Sequence, residues 1–242
     1  MKKLLFILFL GITLVACSNE EPSQEASATN DEEESKIEED SSYQSETDYT
    51  ETETETEEVE QSIEYTPREE MIIAITALID SGEAFDTGSY VKGDIPKGDY
   101  AFVTFEGSGH YFSEEDSAGN IIDNENFDSF GYVKVHEAGN VTADGVLVKV
   151  ESLKQLEVSG AKELYEILNE TENYTESGWY KVGTDLDPGE YVIESYGEGY
   201  VAVMSGPVGN SDIVDNENFN GRYSVNVKEG QYLVISKGAI SK

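Results

Sequence analysis

The chain has 242 residues, and its 51 aspartates and glutamates against 15 lysines and arginines leave a formal charge of -36. That sign excludes direct holding of nucleic acid or of an anionic membrane face, both of which depend on basic side chains neutralising phosphates. A single cysteine excludes an intrachain disulfide, a multi-cysteine zinc site and a thiol pair, so folding must rest on burial alone.

Lys2 and Lys3 precede the apolar run LLFILFLGITLVA, and Cys17 follows it. The run is shorter than the ~20 residues needed to span a bilayer, and its basic start and short apolar core are those of a secretory signal. Leu14-Val15-Ala16-Cys17 resembles the bacterial lipobox, in which the cysteine sulfur is acylated and the chain is cut just before it. This predicts a lipoprotein signal peptide over 1–16 and a lipidated Cys17. Anchoring would be on the extracytoplasmic face of the cell membrane, through a diacyl group of the palmitate type.

Residues 17–65 carry the lipid site and then an acidic tract with almost no large aliphatic residues and one lysine, Lys36. Such a segment cannot bury enough apolar surface to fold, and like charge extends it, so it reads as a disordered linker or stalk. Beyond it, Met71 to Lys242 still holds 30 acidic against 11 basic residues.

Two helices are predicted. TPREEMIIAITALIDSG has proline and acids at its start, an apolar centre, and Gly82 as its stop. SGAKELYEILNE, over Ser159 to Glu170, sets Leu164, Ile167 and Leu168 at helical spacing. Each precedes one copy of an internal repeat. GSYVKGDIPKGDYAFVTF from Gly88 matches GWYKVGTDLDPGEYVIES from Gly178, and IIDNENF from Ile121 matches IVDNENF from Ile213. Two matched segments in the same order, offset by about 90 residues, mark a duplication.

Within each copy, alternating aromatic and β-branched runs such as DYAFVTF, GYVKVH, GYVAVMS and YSVNVK lie between Gly, Pro, Asn and Asp clusters. This punctuation predicts short antiparallel strands. Asp94 to Gly98 and Asp185 to Gly189 read as tight turns, with proline fixing φ and the following glycine supplying a positive one. The predicted fold is therefore mainly β: two tandem small antiparallel β-sandwich or barrel domains, over 66–156 and 157–242, each led by a short helix.

Lys92 to Tyr100, KGDIPKGDY, and Val182 to Tyr191, VGTDLDPGEY, together with the N-x-N-F segments and the closing GQYL, resemble the repeats of uncharacterised lipoproteins and surface proteins of Gram-positive bacteria. The first copy departs from that pattern by Lys92 in place of valine and by lacking the GQYL closure. The second has its proline one place later. The resemblance implies a surface-exposed β module and brings no activity with it.

The chemistry available is sparse. His110 and His136 have no counterparts in the second copy and no accompanying catalytic motif, so both read as surface or loop residues. No catalytic residue is assigned, and carboxylate pairs are too abundant to signal glycan hydrolysis, the least favoured reading. Asp123, Asn124, Glu125 and Asn126 recur as Asp215, Asn216, Glu217 and Asn218, and their oxygens form a candidate calcium site of the hard-cation type. The competing interpretation is a turn whose Phe127 or Phe219 plugs the core. Trp179 and Tyr180, adjacent on one strand, should face opposite sides of it and leave one available for ligand contact.

The function expected is a non-enzymatic binding module of the envelope, with cell-wall glycan or an envelope protein as partner. A calcium-stabilised structural domain is the alternative.

Overall fold

The computed structural model describes residues 64–241 except 107 and 138, all within the compact unit Val59–Lys242. The signal peptide, Cys17 and the acidic linker up to residue 63 lie outside the described residues. Among the described residues, no helix is long and apolar enough to cross a membrane.

Helix α1 (Pro67–Asp80) begins where the sequence signals it. The Thr66 hydroxyl accepts from the Glu69 N–H, and the Glu69 carboxylate accepts from the Thr66 N–H, which closes a capping box. The first copy continues as β1 (Ala84–Phe85), β2 (Gly88–Tyr90), β3 (Gly98–Val103), β4 (Tyr111–Glu115), β5 (Ile121–Asn126), β6 (Phe130–Val135), β7 (Asn140–Ala143) and β8 (Val146–Lys149). A 3-10 helix, Val150–Leu156, leads to α2 (Ala161–Leu168) and then to β9 (Gly178–Lys181), β10 (Gly189–Met204), β11 (Ile213–Val227) and β12 (Tyr232–Ser241).

The described residues are mainly β, with three four-stranded antiparallel sheets among them. The first copy builds two of them, in the orders β1-β8-β3-β6 and β2-β7-β4-β5, and the second builds one, in the order β11-β10-β12-β9. The difference between the copies is one transverse line. In the second copy β10, β11 and β12 run through it with a bulge, which brings Gly197 (φ 109°), Gly221 (φ 87°) and Lys237 (φ 53°) to the same level of three neighbouring strands. Positive φ there bends the strands, and Ser195 ties the bend by accepting from the Gly221 N–H and donating to the Gly197 carbonyl. In the first copy the chain leaves the strand conformation on the same line, between Val103 and Tyr111, between Asn126 and Phe130, and between Ala143 and Val146. Each long strand is thereby cut in two, and the halves form the two layers of a sandwich.

The two repeated turns differ in one detail from the sequence reading. Gly189 has the expected positive φ (157°) but Gly98 does not, and each turn carries a further positive-φ glycine ahead of its aspartate, Gly93 (95°) and Gly183 (93°). Asp94 and Asp185 then accept from the N–H groups of Val91 and Lys181, which closes the turn through a side chain.

One apolar core runs through both copies, from Met71, Ile75 and Leu78 of α1 to Leu233 and Ile235 of β12. Helix α2, which precedes the second copy in sequence, packs on β3 and β6 of the first copy and on α1. Its Ala161, Leu164 and Leu168 are buried there. The copies are further joined by backbone pairing. Val208, in the connection between β10 and β11, bridges Val133 in parallel fashion, with Lys134 N–H donating to its carbonyl at 2.7 Å and its own N–H donating to the Tyr132 carbonyl at 3.0 Å. A segment of the second copy thus covers the outer edge of β6, which would otherwise expose unpaired groups.

Candidate functional site

A cleft of about 410 Å³ draws on strands of both copies. One wall is β5, represented by Asp123, Asn124, Glu125 and Asn126, with Asp128 just beyond it. Successive side chains of a strand point to opposite faces, so four consecutive residues line one cavity only when the strand presents its edge to it. β5 is the edge strand of its sheet, paired to β4 on its other side. The floor is one face of the second copy's sheet. Tyr200, Ala202 and Met204 alternate along β10; Ala202 pairs with Val234 and Val234 with Trp179, and Tyr200 pairs with Ser236.

Side chains at the acid wall fold back on their own strand. Asp123 accepts from the Asn124 N–H at 2.9 Å, and Glu125 accepts from the Asn126 N–H at 2.9 Å. These donors belong to the edge that β4 does not use, and the carboxylates stand in for a missing neighbour strand. Asp123 also accepts from the Gly209 N–H, and Asp128 accepts from Ser236 at 3.1 Å, so both ends of the wall are tied to the second copy. Burial raises the Glu125 carboxyl above its ordinary value; the Asn126 N–H opposes this, and the charges of Asp123 and Asp128 add to it. Among the described residues, no lysine, arginine or histidine lines the cleft.

The structure corrects the reading of the two D-N-E-N segments as turns: both are edge strands, on β5 and β11. Nor does it gather their oxygens into a cage. Alternation divides Asp123 and Glu125 from Asn124 and Asn126, and Asp215 to Asn218 are all exposed on the outer edge of β11. Among the described residues, no group of three histidine, cysteine, aspartate or glutamate side chains is placed to hold a metal ion. Asp123→Ala is expected to lower stability by about 1–2 kcal/mol through loss of the Gly209 tie. Asp215→Ala, with no such tie, should change it by less than about 0.5 kcal/mol. Thermal melts in calcium and in EDTA should give the same two differences, and a calcium-dependent gap would restore the cation reading.

The expectation for Trp179 and Tyr180 needs the same kind of correction. They do face opposite sides of β9, but neither is free. Tyr180 is fully buried, donates to the Glu176 carbonyl at 2.6 Å and meets the edge of Phe130 at 5.0 Å, so it cannot touch a ligand. Trp179 is 6 % exposed and offers the cleft only a margin of its ring. Packing of the first copy against the back of β9 removed the exposed face that a single isolated sheet would have. Met204 and Asp128 line the cleft without having been singled out in sequence; for Met204 the alternating GYVAVM pattern of β10 was the available signal.

His110 and His136 lie away from the cleft lining. His136 is held by Glu114, whose buried carboxylate accepts its backbone N–H at 2.8 Å and contacts Nδ1 at 2.7 Å. Neither a protein-family model nor a curated protein matches this chain.

Proposed function

We propose that the chain is an extracytoplasmic lipoprotein, anchored to the cell membrane by acyl chains on Cys17, whose tandem β domains act together as a binding module of the cell envelope. The observation that supports this is the cleft between the copies, where a free strand edge faces a half-apolar floor containing Trp179, Tyr200 and Met204. Concave, partly apolar sites with a few convergent polar groups are where proteins take ligands. Since the cleft needs both copies, duplication supplies one composite site, and the lipid and linker hold it off the membrane.

Cell fractionation combined with binding to envelope material tests the reading. The wild-type chain should stay in the membrane fraction and Cys17→Ala should leave it. The soluble chain from Ser18 onward should co-sediment with purified cell wall or be captured by an envelope protein in a cross-linking survey. Tyr200→Ala should reduce that retention several-fold. Retention of neither wall nor envelope protein would sink the proposal, and release of soluble sugar from the wall would replace binding by hydrolysis.

A further inference from the structure

We propose that the cleft accepts an extended peptide bearing lysine or arginine side chains, added as a new strand on the free edge of β5. This rests on the binding-module reading and names its ligand class. Three features carry it. The first is the edge itself: the outward N–H groups of Asn124 and Asn126 are satisfied only by the carboxylates next to them in the chain, bonds that an incoming backbone carbonyl can replace. Strand addition draws its affinity from such main-chain groups and its selectivity from alternate side chains.

The second is the floor. Tyr200, Ala202, Met204 and Val234 lie on one face of the second sheet beside that edge, where every other side chain of an added strand would rest. The third is charge. Asp123, Glu125 and Asp128 line the cleft with no cationic side chain beside them among the described residues, and carboxylates displaced from Asn124 and Asn126 would be free to meet ammonium or guanidinium groups. The same argument excludes the chain's own acidic segment before residue 66 as the occupant, because it carries the wrong sign. The corresponding edge at Asp215 to Asn218 has its four residues exposed and none of them lines the cleft, so the site is confined to the first copy's segment.

The test uses the non-lipidated chain from Ser18 and three nine-residue probes: alternating lysine and valine, alternating glutamate and valine, and the lysine peptide with every amide N-methylated. The lysine peptide should bind, and the glutamate peptide should not. N-methylation, which keeps the charge and removes the backbone donors, should weaken binding at least about tenfold. The double variant E125Q/D128N should also weaken it about tenfold or more, and hydrogen exchange should show new protection at Asn124 and Asn126 on saturation. Equal binding of the N-methylated peptide would reduce the effect to bulk attraction by an acidic protein and overturn strand addition, with no variant required to fold. Unchanged affinity of E125Q/D128N, or protection elsewhere only, would overturn it too. If the chain retains envelope material yet ignores all three peptides, the ligand class is wrong and the binding-module reading stands.

Discussion

Phe127→Ala is expected to destabilise the protein by about 3–5 kcal/mol, the range for emptying a well-packed aromatic site, whereas Phe219→Ala should cost roughly 1 kcal/mol. The two phenylalanines close the same repeated motif, so sequence gives no reason for them to differ. In the folded chain Phe127 is 1 % exposed, stacks on Phe102 with ring centres 4.7 Å apart, and meets the edge of Trp179 at 6.0 Å. It therefore joins the sandwich of the first copy to β9 of the second. Gly131 makes this geometry available, because a Cβ there would come within 2.1 Å of the Phe127 ring. The offset that carries Phe127 to Phe219 puts Tyr223 at the corresponding place, and Phe219 stays half-buried against its ring. Chemical denaturation of the two variants checks the difference. At about 2–4 °C per kcal/mol for a chain of this size, Phe127→Ala should lower Tm by on the order of 10 °C. Equal losses for the two would mean that the junction between the copies contributes little.

Asp185→Ala is the second large effect, expected at about 3 kcal/mol. The carboxylate accepts from the Tyr132 hydroxyl at 2.7 Å, from the Lys181 N–H at 2.8 Å and from the Lys162 N–H at 3.1 Å. Tyr132 is buried and itself accepts from the Ala161 N–H at 2.9 Å. Removing Asp185 leaves a buried hydroxyl and two backbone donors without an acceptor, at about 1–3 kcal/mol for each group that stays dry. Asp94 holds the same place in the first copy, but it is exposed and closes only its own turn, so Asp94→Ala should cost less than about 1 kcal/mol.

The pH dependence of Asp185 follows from the direction of its shift. Burial raises its carboxyl above the ordinary aspartate value, and the hydrogen bonds from Lys181, Tyr132 and Lys162 only partly oppose this. The folded state therefore holds the proton to a higher pH than the unfolded state does. The resulting contribution to stability is fully present below the ordinary carboxylate value and is lost as pH rises through the raised one. Asp185→Ala should remove that slope, and denaturation curves across the acid range measure it. A variant with the same slope as wild type would show that Asp185 titrates like a free aspartate.

How much of this was legible beforehand differs element by element. α1 was readable at both ends because Thr66, Pro67, Glu69 and Gly82 act through neighbours within a turn. The strands and repeated turns were readable for the same local reason: alternation, β-branching and the Gly-Asp pairs at 93–94 and 183 and 185 bias the backbone directly. The D-N-E-N segments admit a turn as well as a cation site in sequence, because Asp and Asn favour turns in isolation. On β5 and β11 that preference is overridden by pairing with β4 and β10, a long-range contact with no local signature.

The sequence by itself determined the acidic balance, the lipobox pattern at Cys17, the duplication, and a mainly β fold led by helices, since each of these depends on composition or on residues near one another in the chain. Only the tertiary structure decided that one copy splits its strands while the other bends them, that α2 serves the first copy's sheet, and that Tyr180 is enclosed. It alone brought the edge of β5 over the face of β10 and β12 to make the cleft. The physical reason is that these outcomes depend on which surfaces meet once both copies have formed. Nearly identical segments such as IIDNENF and IVDNENF acquire different burial because their neighbours, Gly131 in one case and Tyr223 in the other, admit different packing.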